Sequence, residues 1–180
     1  MYLQKPAVTA EREVNMENKK TGIKLMKKKL AELQLKLKDT GIPVVILVEG
    51  WGAAGKGSLI RQLLSELDPR FYSFFSLDSS EIIADRYPFM FPFYASLPEN
   101  GTLLLMDSGY MEAAVDDSLN KGMDELKKKE ASAMRFERQL RDNGYIIIKL
   151  FLDIKKKEQK KRFDVLERNN DEAWRVSEKD

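Results

Sequence analysis

Apolar residues along this chain follow two rhythms, and the alternation between them outlines a fold. Over residues 16–39, Ile23, Met26, Leu30, Leu33 and Leu37 recur at spacings of three and four with Lys and Glu between them. This is the pattern of a helix that lays one apolar stripe against the domain or a partner subunit. Residues 1–15 show no such period and read as a flexible arm, which leaves 16–180 as one domain. Residues 42–48 then form a β-branched apolar run with Pro43 near its start, as expected of a strand buried on both faces of a parallel sheet. Helical spacing returns over 58–67 through Leu59, Leu63, Leu64 and Leu67, and Asp68-Pro69 ends it. Further strands are expected over 71–77, over 102–106 leading into Asp107, and over 145–154. Residues 81–97 are aromatic and broken by proline, which suggests a short helix and a loop. Residues 111–131 are polar and lysine-rich and read as a mobile segment. Helices are expected over 135–141 and 155–168. Apolar strands alternating with helices give an α/β fold with a central parallel sheet.

Composition narrows the chemistry. Among 180 residues, 31 Lys and Arg face 29 Asp and Glu, so the net charge of +2 creates no field that would draw the chain to nucleic acid or a membrane surface. Cys and His are both absent. Disulfides, thiol chemistry, the usual zinc sites and histidine-based catalysis are thereby excluded, and acid–base work falls to carboxylates or lysine. Neither a membrane span nor a signal peptide is evident, so a cytoplasmic protein is expected.

The chemical signal is residues 50–58. Gly50 and Gly55 with Lys56 match the spacing GxxxxGK, set between a buried strand and an amphipathic helix. Such a loop wraps a phosphate with inward-pointing N–H groups, the following helix adds its positive end, and Lys56 reaches the outer phosphates. Chance alone yields this spacing in roughly one chain in twenty of this length, so the flanking strand and helix carry the assignment. The candidate phosphate-binding residues are Gly50, Gly52, Ala53, Ala54, Gly55, Lys56, Gly57 and Ser58. The hydroxyl at Ser58 stands one position later than in the usual motif. Asp107, at the end of an apolar strand, is placed as a magnesium ligand. The aromatics Tyr87, Phe89, Phe91, Phe93 and Tyr94 read as a buried cluster rather than a base pocket.

The string EGWGAAGKGS resembles the phosphate loop of the polyphosphate kinase 2 family, EGxDAAGKG. The resemblance continues through Leu97-Pro98 and Gly101 into Asp107. It goes on through Phe136-Glu137 with Leu140, Gly144 and Lys149, then through Glu158-Gln159 with Arg162-Phe163, and ends at Trp174 to Ser177 with Asp180. It implies a P-loop NTPase-like three-layer fold with a helical lid over 111–131. The implied reaction is phosphoryl transfer between inorganic polyphosphate and a nucleotide, AMP to ADP or ADP to ATP, with Mg²⁺. Lys56 and Asp107 would be the catalytic residues, and Lys121, Lys127, Lys128 and Lys129 of the lid would face the polyanion. A homo-oligomer, or pairing with a related domain, would be the assembly.

Two positions depart from the family pattern. Its loop aspartate falls on Gly52, and the arginine after its strand-end aspartate falls on Ser108. Loss of a general base costs roughly 10²–10⁴-fold. Loss of a cationic clamp costs roughly 10²–10³-fold. With Leu67 to Arg70, these losses resemble the N-terminal half of the tandem-domain class. The alternative is therefore a degenerate polyphosphate- or nucleotide-binding or scaffold domain that works beside an active copy. Relative to the family, the domain is expected to be cut short at Asp180.

Overall fold

A computed structural model of the protein describes residues 7–76 and 87–168. The expected motif at Trp174 to Ser177 and Asp180, and part of the 81–97 stretch, lie outside those residues.

The first helix, α1 (Ala7–Thr40), is 34 residues long and begins nine residues before the expected start. Its first two turns lack an apolar stripe but contain strong helix formers, including Ala7, Ala10, Glu11 and Arg12. The expected arm is thus helical from Ala7 onward. Strand β1 (Val44–Gly50) follows, then α2 (Lys56–Leu64), a 3₁₀ turn at Pro69–Phe71, and β2 (Tyr72–Ser76). Next come the short helix α3 (Phe91–Ala95) and strand β3 (Leu103–Asp107).

Residues 111–131 are helical on either side of Gly122, as the resemblance implies for a helical lid. They belong to α4 (Tyr110–Lys121) and α5 (Met123–Asp142). Few apolar residues advertise these helices: α5 buries only Ala133, Phe136 and Leu140. Their polar face is laced with ion pairs at helical spacing instead, among them Lys121–Asp117 at 3.0 Å and Lys128–Glu125 at 3.4 Å. Strand β4 (Ile146–Leu152) and helix α6 (Lys156–Arg168) complete the described fold.

All four strands are parallel, in the order β2-β3-β1-β4. Alternate side chains of the central strands feed two cores. On one face Val45, Leu47, Leu104 and Met106 pack against Phe93, Tyr110, Ala133, Phe136 and Leu140 of α3, α4 and α5. On the other, Val44, Ile46, Val48, Leu103 and Leu105 meet Ile60, Leu59 and Leu63 of α2 and Leu37 of α1. Helices on both faces of a parallel sheet make the three-layer architecture. The carboxyl ends of β1 and β3 thereby lie side by side, with Val48 in register with Asp107. Ligands of open α/β sheets collect at such ends.

Candidate active site

Where β1 ends, the chain makes a close approach that glycine alone permits. Gly50 has φ +143°, and a Cβ there would lie 2.4 Å from the Leu152 carbonyl oxygen. The loop then turns through Trp51 to Gly55, the Ala54 N–H donating to the Trp51 carbonyl at 3.1 Å. Gly55, at φ +102°, leads into α2, whose first residue is Lys56. Among the described residues the only non-glycines with left-handed φ are Ala53 (+55°) and Ser108 (+59°), and both line one open cleft of about 780 Å³. Strain of this kind gathers at functional sites.

That cleft brings together Ala53 to Ser58 of the loop, Asp107 and Ser108 from the end of β3, and Arg61 of α2. Helix α6 contributes Glu158, Lys161 and Arg162. The Lys56 ammonium folds back over the loop. It donates to the Gly50 carbonyl at 2.7 Å and to both Glu112 carboxylate oxygens at 3.0 and 3.2 Å. An anion entering the loop must therefore displace a carboxylate from Lys56. Glu112→Gln is expected to tighten binding of inorganic polyphosphate by roughly 3–10-fold, as read by calorimetric titration, since a partly exposed pair of this kind is worth about 1 kcal/mol.

A second carboxylate supports the site from below. Glu49 is buried between β1 and α4, where its carboxylate accepts from the Met111 N–H at 3.2 Å. Burial raises its pKa above the ordinary value, against the lowering by the Met111 and Glu112 N–H groups. Gly109 leaves room for it, since a Cβ there would stand 2.7 Å from Glu49 Oε1. A carboxyl whose pKa rises on folding contributes its stability below the unfolded pKa, and that stability is lost as pH rises through the folded value. Glu49→Gln, which keeps an acceptor for Met111, is thus expected to melt a few degrees above the native protein at pH 7. The gain should vanish as the pH falls through the ordinary carboxylate range.

Ala53 to Ser58 and Asp107 thus converge on the cleft, whereas Gly50, Gly52 and the four lid lysines do not line it. Lys121 pairs with Asp117, Lys127 with Asp124 and Lys128 with Glu125. Lys129 pairs with Asp117 and lies 4.3 Å from the centre of the Phe89 ring. The cations that do reach the cleft, Arg61, Lys161 and Arg162, were not singled out from the sequence. Gln159 and Arg162 belong to the EQxxRF stretch, which was the available signal.

Other motif residues prove structural. Phe136 and Leu140 are core, while Glu137 receives Lys149 at 2.9 Å and the buried Tyr110 hydroxyl at 2.8 Å. The aromatic stretch divides: Phe93 is buried, but Tyr87 and Phe91 stack at 4.2 Å with both rings exposed.

A sequence model described as Polyphosphate kinase 2 matches residues 13–180. The chain is 29% identical over 159 residues to the ADP-polyphosphate phosphotransferase 3 of Rhizobium meliloti (strain 1021), covering 86% of this chain and 55% of that protein. It is 29% identical over 164 residues to a polyphosphate:AMP phosphotransferase of Acinetobacter johnsonii, covering 91% and 34%. In fold it is similar to the crystal structure of polyphosphate kinase 2 from Arthrobacter aurescens TC1, with a TM-score of 0.79 and 23% identity over 86% of this chain and 57% of that one. A putative polyphosphate kinase 2 from Pseudomonas aeruginosa PA01 gives a TM-score of 0.81 at 23% identity, covering 99% and 37%. The chain therefore spans between about a third and somewhat over half the length of these relatives.

Proposed function

We propose, from the premise that the chain belongs to the polyphosphate kinase 2 family, that it binds inorganic polyphosphate in the residue 50–58 loop and transfers phosphoryl groups between that polymer and AMP or ADP. One observation carries this reading: Lys56, residues 53–58 of the loop and Asp107 at the end of β3 line a single cleft. The loop would orient the phosphate chain, and Lys56, released from Glu112, would hold its outer oxygens. Arg61, Lys161 and Arg162 are cations at the cleft where the family's arginine after the strand-end aspartate is replaced by Ser108.

Magnesium fits this donor set in one way. Among the described residues no group of three or more carboxylates could hold a metal alone. Mg²⁺ is commonly held by one or two carboxylates together with substrate phosphates and water, and Asp107 beside the loop supplies the carboxylate. When bound, the ion would neutralise charge on the transferring phosphoryl group. The working setting would be the cytoplasm, where nucleotides are abundant, and the assembly a homo-oligomer or a pair with a related domain. Among the described residues, no helix is long and apolar enough to cross a membrane.

Gly52 favours a second reading. The loop carries no carboxylate, and the backbone carbonyl of Gly52 is taken by Gln159 at 3.1 Å. A binding or scaffold domain beside an active copy would look like this. The deciding experiment supplies purified protein with polyphosphate, Mg²⁺ and either AMP or ADP, and follows nucleotide phosphorylation. Turnover lost in Lys56→Ala establishes the transferase. Polyphosphate binding that depends on Lys56, without turnover, establishes the binding domain. Neither binding nor turnover sinks both.

A further inference from the structure

The back of the phosphate loop is held by side chains from a helix that begins a hundred residues later. Gln159 Nε2 donates to the Gly52 carbonyl at 3.1 Å, and Arg162 Nη1 donates to the carbonyls of Ala53 and Ala54, each at 3.1 Å. Three consecutive carbonyls of the loop are thus engaged by two residues one turn apart on α6. The Arg162 Nε donates in turn to Glu158 at 3.0 Å, which fixes the plane of the guanidinium. Its Nε and Nη1 donors are committed to Glu158 and the loop.

We propose that Gln159 and Arg162 are positioning residues that aim the N–H groups of the loop by gripping its carbonyls. The reason is the planarity of the peptide. In a trans peptide the carbonyl of one residue and the N–H of the next point in opposite directions and cannot turn independently. Drawing the carbonyls of Gly52, Ala53 and Ala54 toward α6 turns the N–H groups of Ala53, Ala54 and Gly55 away from it. Ala54 N–H closes the turn onto Trp51, which leaves Ala53 and Gly55 aimed as an anion-binding nest. Ala53 sits in the left-handed region without being glycine, a conformation that persists only when its surroundings over-determine it. Its carbonyl is one of those Arg162 holds.

The proposal rests on the reading of the loop as a phosphate site, and the test separates the two. In Gln159→Leu, amide hydrogen exchange of residues 51–57 should quicken while exchange in β1 and β3 and the melting temperature stay unchanged. Affinity for inorganic polyphosphate, measured by calorimetry, should fall roughly 3–10-fold, the worth of one neutral hydrogen bond. Because a neutral side chain is removed, the slope of log Kd against log salt should not change. Arg162→Lys, which keeps the charge and loses the fork, should weaken binding in the same way.

Unchanged loop exchange in Gln159→Leu overturns the proposal whether or not polyphosphate binds. Faster exchange with no binding even by the native protein leaves the brace standing and overturns the phosphate reading. Native affinity in Arg162→Lys, together with a salt slope lowered by about one in Arg162→Ala, would show that Arg162 grips the polyanion itself and is no positioning residue.

Discussion

Gly50→Ala is expected to abolish polyphosphate binding and to lower the melting temperature by roughly 8–16 °C, the equivalent of about 4 kcal/mol in a chain of this size. Two costs combine. The backbone at φ +143° disfavours any side chain, and the new Cβ would lie 2.4, 2.8 and 3.0 Å from the Leu152 carbonyl oxygen, nitrogen and carbonyl carbon. Those are backbone atoms of β4, which is paired with β1 at this point, Gly50 against Leu152. Relief would mean parting the two strands, and no rotamer change can supply it. The Gly50 carbonyl also accepts from Lys56, so the same shift would misplace the ammonium. Gly57→Ala is the matched control. A Cβ there meets nothing within 4 Å, and it lies within a helix, so thermal melting should show no loss. Equal melting of the two variants would contradict the close approach seen here.

The second large effect belongs to Lys56→Ala. It should weaken polyphosphate binding, and any turnover, by roughly 10²–10³-fold, the usual consequence of removing one charged donor from a phosphoryl-transfer site. The fold should be almost indifferent. Glu112 is a third exposed and can regain water once its partner is gone, so no carboxylate is stranded in a dry interior. Melting curves within about 2 °C of the native protein are expected, as for an exposed ion pair. A large drop in stability would mean that the Lys56–Glu112 contact ties α4 to the loop and is structural first.

How far the fold could be read from sequence depended on how each segment is stabilised. Strands β1 and β3 bury both faces, so they appear as unbroken apolar runs, and the glycine-rich loop between β1 and α2 is legible with them. The 111–131 stretch shows no apolar period because most residues that seat α4 and α5 in the core, Tyr110, Ala133, Phe136 and Leu140, lie just outside it, with Ala114 inside. The beginning of α1 was missed for a related reason, since helix-forming composition without a period looks like a loose arm.

Within the cleft, Lys56 and Asp107 announce themselves by position. Gln159 and Arg162 stand in a stretch that resembles the family, but their hydrogen bonds go to loop carbonyls, a role that residue type and spacing do not spell out. The run of lysines beginning at Lys155 hides them further, making α6 resemble any solvated surface helix. The stretch that resembles the family's FExxL pattern shows the converse. Phe136, Leu140 and the Glu137–Lys149 pair carry the resemblance in the sequence, and in the structure Phe136 and Leu140 are core while Glu137 pairs with Lys149.

The order β2-β3-β1-β4 also bears on how the molecule comes into being. Each neighbour of β1 arrives late, and the contacts that finish the loop join residues 107 and 109 positions apart, Gly52 with Gln159 and Ala53 with Arg162. Contacts of such long range form slowly because the entropy of closing the intervening chain comes first. During synthesis the loop emerges from the ribosome more than a hundred residues before the helix that clasps it. Until α6 emerges, a nascent chain has no Gln159 or Arg162 to engage the carbonyls of Gly52, Ala53 and Ala54, so the loop takes its final shape only after α6 has docked.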